Sequence, residues 1–112
     1  MATINKLIVE SRQTASADTP EVFYTSPATG IGTVITNFTA SNDSLLDATY
    51  KAYIVASGAA GNPLVPSRSV ITGRSDVSAE MAGQVIPAGG TLQMEASSAG
   101  TIAFTVSARE LS

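Results

Sequence analysis

Two stretches in the last third of the chain alternate between apolar and mostly polar side chains. Leu92, Met94 and Ala96 interleave with Thr91, Gln93 and Glu95. Ile102, Phe104, Val106 and Ala108 interleave with Thr101, Ala103, Thr105, Ser107 and Arg109. A period of two sends successive side chains to opposite faces, so both stretches read as half-buried antiparallel strands. Ser97-Ser98-Ala99-Gly100 between them reads as a short hairpin loop. No segment carries a helical period. Composition agrees, since Val and Ile together number 17 against 6 Leu, with 13 Thr besides. Branching at Cβ suits a pleated surface better than a helical turn.

Turn signals cut the remainder into similar pieces. Ile4 to Val9 is an apolar run, followed by an irregular polar stretch from Ser11 to Pro20. Glu21 to Thr25 is a strand that Pro27 should end, because proline cannot donate to a ladder. In the strand Gly32 to Thr39, Val34, Thr36 and Phe38 are expected on one face and Ile35 and Asn37 on the other. Ala40 to Asp47 is a Ser/Asn/Asp-rich turn. Ala48 to Ala56 is a strand with Tyr50, Ala52 and Ile54 on one side. Ser57 to Pro66 reads as a loop, Ser67 to Thr72 as a short strand, and Gly73 to Met81 as an exposed excursion. Gln84 to Ile86 is a brief strand before the tight turn Pro87-Ala88-Gly89-Gly90. The expected fold is therefore all-β: one antiparallel β-sandwich or jelly roll of about seven or eight strands. The 112 residues make one domain, with residues 1–20 a candidate N-terminal arm. Phe23, Tyr24, Phe38, Tyr50, Ile54, Met94, Ile102, Phe104 and Val106 are expected to supply most of the core.

Chemistry is narrowed by what is missing. With no cysteine and no histidine there is no thiolate nucleophile, disulfide, Cys-type zinc site or imidazole base. The chain is expected not to be an enzyme and to need no cofactor. A net charge of −3 argues against nucleic acid, and no apolar run approaches a membrane span of about 18 residues. Gly30-Ile31-Gly32 lacks the rest of a phosphate-cradling fingerprint and reads as a turn. Asp43 and Asp47 share a polar loop without the spacing of a calcium-binding loop. Asn37-Phe38-Thr39 and Asn42-Asp43-Ser44 match a short, degenerate glycosylation pattern.

Charged residues make up 13% of the chain, about half the usual share. Depletion of charge marks the core of protein interfaces. Ala, Ser and Thr fill 44 positions, and small side chains cost little entropy to dock. The expected role is binding. Candidate contact residues are Arg68, Arg74 and Asp76, where charge clusters about a short apolar strand, and Ile4, Leu7 and Val9 in the N-terminal run.

The order of segments resembles a known group. Val22-Phe23-Tyr24-Thr25-Ser26-Pro27 precedes Val34-Ile35-Thr36-Asn37, then the Tyr50 to Val55 strand, then Val85-Ile86-Pro87-Ala88-Gly89-Gly90-Thr91-Leu92, and finally Ile102 to Glu110. This is similar to small β-sandwich virion proteins of tailed bacteriophages, in which a Pro-x-Gly turn and a Val-Ser-Gly-x-Glu-like ending recur. Ala108 stands at the position where that ending has glycine. The resemblance implies a phage structural protein, nearest to capsid decoration (cement) proteins. It implies a homo-oligomer, trimer or dimer, made in the host cytoplasm and placed on the capsid exterior against the major capsid protein or another virion protein. A tail, neck or fibre-attachment module is the alternative, followed by a carbohydrate-binding or adhesin domain.

Overall fold

The structure is a computed structural model that describes residues 3–59, 61 and 63–111. Nine strands follow in order: β1 (Thr3–Gln13), β2 (Glu21–Thr25), β3 (Gly32–Asn42), β4 (Ala48–Val55), β5 (Pro63–Val70), β6 (Arg74–Val77), β7 (Val85–Pro87), β8 (Thr91–Ala96) and β9 (Ile102–Leu111). They form two antiparallel sheets. One has the order β1-β9-β3-β6, with β7 also paired to β3; the other has the order β2-β8-β4-β5.

The order has a simple logic. The first strand pairs with the last (β1 with β9), the second with the second-last (β2 with β8), β3 with β6 and β7, and β4 with β5. That is one long antiparallel ribbon. Folding it over adds the pairs β3–β9 and β4–β8. The result is a jelly roll, two Greek keys closed into a sandwich. One of the eight ribbon positions, the partner of β3, is split. Val85–Pro87 covers one end of β3 and Arg74–Val77 the other, with the turns of residues 78–84 between them.

The core lies between the sheets. Phe104 is fully buried, with the rings of Phe23, Tyr50 and Phe38 at 5.4, 5.6 and 6.0 Å. Val9, Ile35, Val65, Val70, Met81, Ile86, Leu92, Met94, Ile102, Val106 and four alanines complete it. Of the expected core residues, Tyr24 and Ile54 are only partly buried and pack against its margin.

Several expectations are corrected. In β3 the buried apolar side chains are Ile35, Phe38 and Ala40, whereas Thr36 is exposed and Val34 half-buried. The register against β9 slips between Ile35 and Asn37, and this bulge switches the alternation mid-strand. The segment Ser97 to Gly100 is not a hairpin loop, because β8 and β9 belong to different sheets and the segment arches over the core. Pro63 to Pro66 opens β5 and is not loop, and Arg74–Val77 is a strand within the expected excursion. Residues 3–13, expected to begin an arm, pair with β9 along its length.

Candidate interaction surface

The candidate contact residues fall into two groups at opposite sides of the sandwich, one on β1 and the other on β5 and β6. At the β1 edge, Leu7 is on the outer face and 47% exposed, and Ile4 lies at the strand's free end. Val9 is not available for contact: it is 3% exposed and packs in the core opposite Val106. At the other side, Arg68 of β5 sits opposite Tyr50 and forms an ion pair with Glu80. The Tyr50 hydroxyl donates to Asp76 Oδ2 at 2.5 Å. Arg68 and Asp76 thus serve the fold by clasping β4 and β5 to the β6–β7 segment. Arg74 opens β6 and is exposed.

A second clasp closes the opposite side of the sandwich. Tyr24 of β2 donates to Glu110 of β9 and shares a 3.1 Å hydrogen bond with Thr33. Lys6 Nζ lies 3.3 Å from the same carboxylate, and the Arg12 guanidinium stacks 4.5 Å above the Phe23 ring. These partners hold the Glu110 carboxyl below its ordinary value, the Tyr24 hydrogen bond being the largest cause. Burial, together with the carboxylate, pushes the Tyr24 hydroxyl up to about 12. The third tyrosine repeats the motif on the outer face of the other sheet. Tyr53 donates to Glu95, and burial raises its hydroxyl to about 12.

The loop after β3 owes its shape to Asn42, which is buried and fully bonded. Its amide nitrogen donates to the carbonyls of Leu46 and Val70 at 2.7 and 2.9 Å, and its oxygen accepts from the Ser44 N–H and hydroxyl. Asp47 accepts the Thr72 N–H at 3.0 Å. Side chains in this loop therefore build turns. Leu45 projects from it, 96% exposed. A shallow open depression of about 410 Å³ lies beside it, lined by Asp47, Ala48, Thr49, Ser69, Ile71 and Ser97. Among the described residues there is no group of three or more acidic, His or Cys side chains that could hold a metal ion. No helix among them is long and apolar enough to cross a membrane.

The outer face of the five-stranded sheet is broad and poor in charge. Its members follow from register, because residues directly opposite each other share a face. Ala103, Thr105, Ser107 and Arg109 of β9 stand beside Val34, Asn37, Thr39 and Ser41 of β3. Ser75 and Val77 of β6, Val85 of β7, and Asn5 and Leu7 of β1 extend the rows. Arg109 is the one charged side chain that these pairings assign to the face; Glu10 lies in the bulged stretch of β1, outside them. Sequence reading did not find this surface, although its β9 row was visible as the polar half of the alternation. The β3 row was hidden by the bulge and the β6 row by a missed strand.

The edges of both sheets are guarded against strand addition. Strand β1 carries two bulges and turns Lys6 and Arg12 toward the sandwich interior. Strand β5 begins Pro-Leu-Val-Pro, and β2, β6 and β7 have only five, four and three residues. Contact through a face is left as the open mode. None of the six aromatic rings is exposed, so there is no aromatic platform on the surface.

No protein-family model, curated protein or solved structure matches this chain.

Proposed function

We propose that this chain is a structural protein of a tailed-phage particle, a decoration protein that binds the outside of the capsid and clamps neighbouring major capsid subunits. One observation carries the reading. The outer face of the five-stranded sheet is broad, built of small hydroxyl, amide and aliphatic side chains, and has a single charge in its paired rows. Charge on a solvated face costs nothing and aids solubility, so its near-absence fits a face that ends up covered by protein. The jelly roll adds support by analogy, since viral capsid domains use it. Lectin domains use it too, but the lack of an exposed aromatic ring weighs against a sugar site.

A clamp gains strength from multivalency. Once one contact forms, the next is intramolecular, and modest patches hold firmly. The test is to mix the purified protein with undecorated shells and count bound copies per particle. Saturable binding in many copies, with a raised shell melting temperature, is the expected result. A handful of copies per particle would move the protein to the tail or neck, and absence of binding to any phage particle would end the proposal.

A further inference from the structure

We infer that the outer face of the five-stranded sheet is covered by a second copy of this chain, forming a twofold dimer with the two sheets stacked face to face. The inference rests on the reading above only in that this face is covered by protein; with a second copy seated on it, the dimer meets the shell through its remaining surfaces.

Three observations point to a like copy. The first is chemical. A twofold interface must be complementary to itself. Asn37, Thr39, Thr105 and Ser107 occupy the middle of the face, and their hydroxyl and amide groups are both donors and acceptors. Rotating such a surface onto itself leaves every donor an acceptor to meet. Leu7, Val77 and Val85, 47%, 66% and 48% exposed, lie toward the margins, where apolar groups also match their own kind.

The second is electrostatic. The chain carries a net charge of −3, so two copies repel through most approaches. Six carboxylates are engaged elsewhere: Glu21 with the N–H groups of Ala15 and Ser16, and Asp47, Asp76, Glu80, Glu95 and Glu110 in the contacts described above. The paired rows of this face hold no carboxylate and one arginine. A copy with the same acidic charge meets no carboxylate in these rows.

The third is size. Strands β1, β3 and β9 have 11, 11 and 10 residues. At about 3.3 Å per residue and about 4.8 Å between strands, four columns cover roughly 650 Å². Two such faces bury roughly 1,300 Å² together, within the range of stable specific interfaces. The guarded edges disfavour the competing arrangement, a sheet continued across copies.

The experiment is sedimentation and light scattering of the full chain over a concentration series up to about 1 mM, with three variants beside the parent. The parent is expected to be dimeric. Val77→Glu and Asn37→Glu change exposed side chains outside the core and place like charges across the twofold. Each is expected to weaken association at least about tenfold while circular dichroism and melting stay those of a folded monomer. Leu45→Ser, at the tip of the sandwich, should leave association unchanged. A parent that stays monomeric throughout overturns the inference, as does an unaffected dimer in both charge variants, and so does association through another surface that Leu45→Ser abolishes. The shell-binding test fails separately: a monomer that decorates shells sinks the dimer alone, and a dimer that ignores every particle sinks the proposed function alone.

Discussion

Tyr24, Tyr50 and Tyr53 all end on a carboxylate, and two of these pairs tie one sheet to the other at opposite sides of the sandwich. A buried phenol needs an acceptor, and Glu110 and Asp76 supply it at the margins of the core. Phe104 does the complementary work at the centre, touching the rings of Phe23, Phe38 and Tyr50. Phe104→Ala should cost about 3–5 kcal/mol in urea unfolding, because no neighbour can collapse into the space of a ring shared by both sheets. Leu45 is the contrast: at 96% exposure it packs on nothing. Leu45→Ser should therefore leave the unfolding free energy within about 0.5 kcal/mol of the parent. A large loss there would mean that the loop closes over the molecule in solution.

At the scale of elements, strands were legible and their partners were not. The alternation in Thr91–Ala96 and Ile102–Leu111 predicts the buried sets Leu92, Met94, Ala96 and Ile102, Phe104, Val106, Ala108, and all seven are buried. Yet the five residues between these strands, Ser97 to Thr101, form an arch where a hairpin was expected at Ser97 to Gly100. Both connections look alike in sequence, because a short polar loop joins strands whether they pair or face each other across a core. In β3 the alternation itself misled, since one extra residue near Thr36 reverses the faces that follow. A short strand such as Arg74–Val77 has too few residues to show a period at all. The arch makes a sharp prediction. Replacing Ser97–Gly100 by a two-residue Asn-Gly turn would force β8 and β9 to about 5 Å, whereas stacked sheets stand about 10 Å apart. That variant should lose cooperative unfolding by circular dichroism; a stable, native-like variant would contradict the two-sheet assignment.

For the whole molecule, pH is the informative variable. With no histidine and no cysteine, no side chain of ordinary pKa titrates between about pH 6 and 9. Stability should be level there to within about 0.5 kcal/mol. Outside that window the tyrosine–carboxylate pairs take over. Tyr24 and Tyr53 are raised from 10.0 to about 12, so the stability they contribute is whole below about pH 10 and is lost as pH climbs toward 12. Tyr50 is raised as well, by burial first and then by Asp76. Glu110 is lowered, so its share is whole above its unfolded value near 4.5 and fades as acid protonates it in the fold. Urea midpoints from pH 3 to 12, read beside tyrosinate absorbance, check both limbs. Tyrosines that ionise near pH 10 in the folded protein would show that the clasps do not hold in solution.

By itself the sequence determined the class of structure: β-branched residues, period-two alternation and frequent turns commit this chain to antiparallel strands about one core. It also bounded the chemistry by lacking His and Cys, and it showed that the exterior is poor in charge. Only the tertiary structure decided which strands share a sheet, that Val9 is inside, that Arg68 and Asp76 are spent on internal contacts, and that the outer rows of the five-stranded sheet hold a single charge. The physical reason is range. Alternation and turn chemistry act between neighbours along the chain, whereas pairing β1 with β9 or aligning Thr39 with both Thr105 and Val77 depends on how a folded ribbon meets itself.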